Sequence, residues 1–446
     1  MAIIGRNTKK EYLQHIENSF TLTIAEMKNI VKDFHSEMRR GLAGLKSSLA
    51  MIPTYVDKPT GDEKGEYIAL DLGGTNFRVL ELKLKGKGKL SPPRVRKYVL
   101  DKRHISGKGE ELFGYIAQRI KAFLRGEKAR QDDVLKLGFT FSFPVEQTGI
   151  ASGELLGWTK GFSARGVVGK DVVMLLNSAL AKNGLGNIKV AVLANDTVGT
   201  MACLGYEDQD CDVGVILGTG TNACYLEKLS VIPKWNGPNT RTGHMIINIE
   251  WGNFNKLRRL DYDIALDKAS ENPGRQILEK MISGMYLGEV ARIVLNGFIS
   301  KGLLFDGLRS PIFNKRGHFK TEYMSRIEAD CSKNLSEVIR FLKESGIRNS
   351  TFEDRCLIKR VCELVSNRAA RASAAAMAAV ITKIDPALSK THTVAIDGSV
   401  YEKHPGFSKN IRTGLEELLD KKASKIKISM AKDGSGKGAA IIAAVA

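Results

Sequence analysis

An aspartate closes an apolar run in "VAVLANDTVGT", where Asn195-Asp196 precedes a stretch of small residues. A carboxylate at the end of a buried strand can accept a proton from a bound hydroxyl. The plainer alternative is that Asp196 or Asn195 caps a helix starting near Thr197. A second candidate is Asp71-Leu72-Gly73-Gly74-Thr75-Asn76-Phe77-Arg78. Paired glycines in a strand–strand turn let backbone N–H groups approach phosphate oxygens. Thr75 and Asn76 add donors there, Arg78 adds a charge suited to phosphate, and Asp71 could hold a hydrated Mg²⁺. A tight hairpin with a solvated aspartate explains that stretch equally well.

Gly218-Thr219-Gly220-Thr221 superficially fits a dinucleotide fingerprint, but "NACYLEKL" after it reads as a strand where the fingerprint needs a helix. A second phosphate hairpin fits better. "KDGSGKG" is not a Walker A loop, because Gly438 stands where Ser or Thr is required. Gly434 and Ser435 can still present N–H groups to an anion at the start of the last helix. Between these turns fall Ser142, Thr159, Lys160, Asn195, Asp196, Asn222, Glu250, Gln276 and Glu279. Carboxylates accept from hydroxyls while Asn, Thr and Lys donate, so the set suits a polyhydroxylated ligand. Taken singly, Gln276 and Glu279 could be a solvated helix face.

Strands are expected at "YIALDL", "FRVLELKLK", "RKYVL", "VLKLGFTFSF", "IKVAVLA", "CDVGVILGTG", "TNACYLEKL", "HMIINIEWG", "THTVAIDGSV" and "KIKISM". Helical patterns cover 21–50, 109–126, 167–183, 275–298, 322–346 and 353–384, with "AAIIAAVA" closing the chain. Hairpins followed by alternating strands and helices predict an α/β fold with mixed sheets. "LDLGGTNFRVLELKL" echoes "VILGTGTNACYLEKL", which suggests two halves of one design with glycine turns facing across a cleft.

The 446 residues carry 68 Lys plus Arg against 49 Asp plus Glu, a net charge of +19. That favours anionic partners, yet no nucleic-acid motif accompanies it, and the basic run at 83–97 reads as a solvated hairpin tip. No apolar run approaches the roughly 20 residues of a bilayer span, and no secretory signal is evident, so a cytoplasmic protein is expected. The six cysteines form no Cys-x-x-Cys pair and are expected reduced. The seven histidines lack metal-ligand spacing, and no protein-held zinc is expected.

These segments, in order, resemble a eukaryotic-type hexokinase from about Met38 to the C-terminus. The carriers are "IALDLGGTNFRV", "LGFTFSFPVEQTGIASGELLGWTKGF", "VAVLANDTVGTMACLGYED", "LGTGTNACYLE", "INIEWGNF", "EKMISGMYLGEV", "AIDGSVYEKHPGF" and "DGSGKGAA". The resemblance implies a two-domain actin-like ATPase (ribonuclease H-like) fold that closes on glucose. It divides the chain into a helical part of the large domain (1–62), the small domain (63–194), the large domain (195–432) and a returning C-terminal helix (433–446). The activity implied is transfer of a phosphoryl group from Mg-ATP to the 6-hydroxyl of a hexose, the first step of glycolysis. Sugar contacts carry over to Ser142, Phe143, Thr159, Lys160, Asn195, Asn222, Glu250, Gln276 and Glu279, and the catalytic base to Asp196, assisted by Lys160 and Arg78. Phosphate and nucleotide contacts fall on Asp71, Gly73, Gly74, Thr75, Asn76, Arg78, Gly218, Thr219, Gly220, Thr221, Gly434, Ser435 and the segment 397–401, including Gly398 and Ser399. Asp71 would meet magnesium through water. Hinges are expected near 60–65, 195–205 and 430–434. A monomer or homodimer is compatible, without nucleic acid or a membrane span. Lys315 departs from the family's Thr before Arg316, and 231–243 looks like an inserted surface loop.

Overall fold

The computed structural model describes residues 2–73, 76–124, 134–159 and 161–446. Gly74, Thr75 and Lys160, all singled out above, lie outside the described residues.

Two mixed sheets organise the chain. In chain order the strands are β1 (Ile52–Pro53), β2 (Lys64–Leu72), β3 (Asn76–Lys85), β4 (Arg94–Val99), β5 (Leu135–Phe141), β6 (Val145–Gly149) and β7 (Ser152–Leu155). They continue as β8 (Ile188–Ala194), β9 (Cys211–Leu217), β10 (Thr221–Lys228), β11 (His244–Asn248), β12 (His392–Asp397) and β13 (Ile426–Met430). The first sheet runs β4-β3-β2-β5-β8 and the second β1-β11-β10-β9-β12-β13, while β6 and β7 form a separate hairpin. Apart from the short β1, the two sheets share one plan. Three strands meander antiparallel, and the fourth and fifth join parallel beside the first. The sequence echo therefore marks a repeated topology: β2–β3 and β9–β10 are equivalent hairpins, each turning at one of the glycine motifs.

The helix after each fifth strand crosses to the other sheet. Helix Asp196–Glu207 follows β8 but packs Val198, Met201 and Ala202 into a core with Cys211, Cys224 and Ala395 of the second sheet. Helix Gly434–Val445 follows β13 but packs Ala439, Ala440 and Ile441 against Ala69, Leu80 and Leu82 of the first. The two crossing helices touch at glycines. A Cβ on Gly438 would lie 1.8 Å from the carbonyl oxygen of Gly199, and one on Gly138 of β5 would lie 2.0 Å from that of Ala439. Such approaches exclude any side chain, so these glycines set the spacing of the layers.

Each sheet has its own core. Phe139, Leu112, Ile116 and Leu176 join the first sheet to helices Gly109–Leu124 and Val172–Lys182. The larger core surrounds helix Phe352–Ile384, whose alanine-rich stretch is buried, and takes in helix Ile24–Leu42. Thr23 and Thr351 cap those two helices with reciprocal bonds to Glu26 and Asp354.

Several element expectations need correction. The pattern at 275–298 is two helices, Ile277–Ile282 and Leu287–Ser300, and that at 322–346 is also two, Thr321–Ala329 and Ser336–Glu344. Helix Val172–Lys182 starts after 167 because Asp171 caps it, accepting from the N–H groups of Val173 and Met174. "GSGKG" is helix rather than loop, since its glycines answer the close packing just described. An additional helix, Ala2–Phe20, precedes the pattern at 21–50, which narrows to Ile24–Leu42.

Candidate active site

The ends of β8, β10 and β11 meet the start of the first crossing helix. Asn195 caps that helix, its Oδ1 accepting from the Thr197 N–H at 3.0 Å and the Thr197 hydroxyl at 2.9 Å. Asp196 is the helix's first residue, where the positive end of the helix dipole favours a negative charge. Of the two cap candidates, Asn195 is the cap, and Asp196 follows it as the first helical residue.

Asn222, at the start of β10, is the hub of the polar cluster. Its Nδ2 approaches Oδ1 of Asn248 at 2.8 Å, Oε1 of Glu250 at 3.1 Å and Oδ1 of Asn195 at 3.3 Å. Asn248 Nδ2 also donates to Glu250 Oε1 at 2.8 Å. Asn248 was not singled out from the sequence. Its position two residues before Glu250 in "INIEWG" was the available signal.

Glu250 and Gln276 adopt left-handed backbone, with φ of 55° and 54°. Such conformations are costly for residues with side chains and concentrate at functional sites. Gln276 is pinned by its N–H donating to Asn253 Oδ1 at 3.3 Å. Glu279 Oε2 accepts the Thr221 N–H at 3.0 Å, tying helix Ile277–Ile282 to the second glycine turn. Burial raises the Glu250 carboxyl above its ordinary pKa, and the charges of Asp196 and Glu279 push the same way; Asn248 and Asn222 donate in opposition. Asp196 therefore lies within electrostatic reach of the polar cluster.

The charge of Asp196 acts on Asp397 as well. Asp397, at the end of β12, has its carboxyl raised by burial, with the charges of Asp433 and Asp196 adding to it and Gly398 N–H and Arg78 opposing. Gly398 has φ 127°, and a Cβ there would fall 2.3 Å from the Leu217 carbonyl oxygen. The turn at Gly218 therefore lies directly against Gly398-Ser399. Gly284 N–H donates to Gly218 O at 2.8 Å and Met285 N–H to Thr219 O at 3.0 Å, bracing the turn from below.

On the first sheet, Gly73 lies against Ser142, whose Oγ would be 3.5 Å from a Cβ there. Ser142 N–H donates to Leu72 O at 3.1 Å, fixing the end of β5 beside the first hairpin. Asn76 opens β3, within the same turn. The Phe143 ring is buried among Phe141, Trp158 and Phe162. Thr159 O accepts from Phe162 N–H at 3.1 Å in the same loop.

Arg78 is held between the first hairpin and the second crossing helix. Its guanidinium bonds Asp71 Oδ2, Ser435 Oγ at 3.1 Å and Asp433 Oδ1 at 2.5 Å. Ser435 Oγ in turn donates to Asp71 Oδ2 at 3.0 Å. This quartet joins the first hairpin to the second crossing helix. Asp433 was missed because nothing in "AKDGSG" separates it from a solvated turn residue.

Two hexokinase family models match, one over residues 12–206 and the other over 212–445. The chain belongs to the hexokinase family. It is 44% identical over 433 residues to hexokinase-7 of Oryza sativa subsp. japonica, covering 94% of this chain and 93% of that one. Against hexokinase-2 of Rattus norvegicus it is 42% identical over 443 residues, covering 96% of this chain but 47% of the relative, so it spans about half that length. The solved structure of a hexokinase from Schistosoma mansoni complexed with glucose superposes with a TM-score of 0.86 at 35% identity, over 98% of this chain and 100% of that one. These matches establish the two-domain actin-like ATPase architecture that the paired sheets embody. All six cysteines are free. Among the described residues no helix is long and apolar enough to cross a membrane.

Proposed function

We propose that Asp196 is the general base of a hexose phosphotransfer reaction carried out between the two sheets. The enzyme is a hexokinase, and ATP-dependent phosphorylation of a hexose in glycolysis is its activity. The observation that supports the proposal for Asp196 is that its charge acts both on Glu250, in the Asn222 cluster, and on Asp397, beside the Gly218 turn.

In this reading the sugar hydroxyls bond Asn195, Asn222, Glu250, Gln276 and Glu279, joined by Ser142, Thr159 and Lys160. The 6-hydroxyl gives its proton to Asp196 as its oxygen bonds the γ-phosphorus. The bond from that phosphorus to the β-γ bridging oxygen breaks, and ADP leaves with the electron pair. Phosphoryl transfer depends mainly on position and charge neutralisation. Lys160, Arg78 and the N–H groups of the first turn, Thr219 and Gly220 supply the latter, while Gly398, Ser399, Gly434 and Ser435 border the nucleotide. The Arg78 bond to Asp433 involves a side chain 61% exposed, so releasing it to a phosphate costs only about 0–1 kcal/mol.

Magnesium would enter on ATP as part of the substrate, and the carboxylates of Asp71 and Asp397 suit a hydrated hard cation. A hexose of glucose type is the acceptor, and the +19 charge suits an anionic nucleotide rather than a nucleic acid. The division into small and large domains at 63, 195 and 433 fits this scheme, as does a cytoplasmic monomer or homodimer. The test is to incubate the protein with Mg-ATP and each of glucose, mannose and fructose. Hexose 6-phosphate and ADP are expected in equal amounts; sugar binding without product would overturn the proposed chemistry.

A further inference from the structure

Beneath the nucleotide side lies a buried acid–base pair that the reaction itself does not use. Helix Ser399–Lys403 begins at Gly398-Ser399 and ends at His404. The His404 N–H closes the helix on the Val400 carbonyl oxygen at 3.2 Å. Its imidazole is buried, with Nε2 facing Glu328 Oε1 at 3.5 Å; the two side chains are 2% and 6% exposed. Neither of those two atoms meets a hydrogen-bond partner, each other included. Two buried polar atoms 3.5 Å apart and without partners make a single shared proton the economical solution.

The remaining contacts fix who carries that proton. His404 Nδ1 lies 3.4 Å from the Pro405 carbonyl oxygen, an acceptor, so Nδ1 bears the imidazole hydrogen and Nε2 is left as a lone pair. Glu328 Oε2 already accepts the Ser366 hydroxyl at 2.9 Å. Around Glu328 the long helix Phe352–Ile384 also presents Glu363, Lys359 and Cys362. Burial, with the Glu363 charge adding and Ser366 and Lys359 opposing, lifts the Glu328 pKa to about 8. Burial lowers that of His404. Near neutrality both groups are therefore uncharged, and Glu328 is the donor. A second link runs beside the first, from Ser325 Oγ to the Lys403 carbonyl oxygen at 3.2 Å.

We propose that Glu328 and His404 are positioning residues for the nucleotide, the protonated Glu328 carboxyl donating to His404 Nε2 and so holding helix Ser399–Lys403 against the Gly218 turn. The inference rests on the reading of Gly398-Ser399 as a nucleotide-side segment. Ionisation of Glu328 removes the donor and sets a carboxylate against an imidazole lone pair. The helix then keeps only the Ser325–Lys403 link, and nucleotide affinity falls while sugar affinity does not.

The test is calorimetric titration of the full chain with Mg-AMPPNP at saturating glucose from pH 7 to 9, for wild type, Glu328→Gln and His404→Phe. Wild-type affinity is expected to weaken about 5–10-fold as pH passes 8, the loss of one buried hydrogen bond. Glu328→Gln keeps an N–H donor that cannot ionise and should hold its affinity across the range. His404→Phe keeps the bulk without the acceptor and should be weakened already at pH 7. Glucose affinity and thermal midpoint at pH 7 are measured beside these to separate a lost anchor from a lost fold. The same alkaline weakening in Glu328→Gln as in wild type would overturn the proposal, as would a pH-independent wild type. Product formation is assayed separately: a binding shift without turnover would keep the pair and sink the phosphotransfer mechanism, whereas turnover without the shift would do the reverse.

Discussion

Asn222 illustrates how much one amide can organise. It offers two protons to oxygens of Asn195, Asn248 and Glu250. Removing it takes the donor from Asn248 Oδ1, and a buried acceptor left unpaired costs about 1–3 kcal/mol. Asn222→Ala should therefore raise the glucose KM by roughly 10-fold or more, read by steady-state kinetics, with a smaller effect on the ATP KM. An unchanged glucose KM would remove Asn222 from the sugar side. At this scale the sequence was informative where a residue type was itself unusual, as with a carboxylate after an apolar strand. It was silent on Asn248 and Asp433, whose roles come from neighbours distant along the chain. The engagement of Arg78 by Asp71, Asp433 and Ser435 was hidden for the same reason.

Among the elements, the crossing helices give the most direct stability prediction. Gly438→Ala places a methyl 1.8 Å from the Gly199 carbonyl oxygen, a backbone clash that neither helix can relieve alone. It should lower the thermal midpoint strongly, by an overpacking cost of about 1–3 kcal/mol or more. Gly114→Ala, in helix Gly109–Leu124 with nothing within 4 Å of the new Cβ, should instead be neutral or stabilising by about 0.5–1 kcal/mol. Equal melting of the two variants would refute the packing argument. Glu328 supplies a pH-dependent case. Its folded pKa is raised, so the fold is favoured while the group is protonated, and that contribution is lost as pH climbs from the ordinary carboxyl value through about 8. Glu328→Gln should therefore melt progressively higher than wild type between pH 5 and pH 8, checked by calorimetry at both.

Hydrophobic periodicity located most strands and the long helix Phe352–Ile384, yet it ran straight through two breaks. At Ser283-Gly284 the helical pattern continues in the side chains, but the N–H groups of Gly284 and Met285 are given to Gly218 and Thr219. Near Asp330 the carboxylate collects N–H groups of Ser332, Glu337 and Val338. Both breaks are tertiary or local polar bonds overriding a periodic signal.

The whole molecule is a duplicated plan in which each half donates its last helix to the other. The faint echo between 70–84 and 215–229 was enough to suggest that duplication; the exchange of helices was not legible, because small-residue stretches do not name the surface they pack on. Since the two halves meet through helices and a few connecting segments, sugar bound between them should draw them together. Small-angle scattering is expected to show a smaller radius of gyration with glucose than without it, and none with a non-binding sugar; identical curves would contradict closure. The central claim is that Asp196, whose charge acts both on Glu250 and on Asp397, takes the proton from the attacking hydroxyl. It is tested most directly by measuring glucose 6-phosphate formation with Mg-ATP for wild type and Asp196→Ala. The account predicts robust wild-type turnover and a loss of about 10²–10⁴-fold in kcat for the variant, with glucose binding retained. Turnover undiminished by the substitution would contradict it.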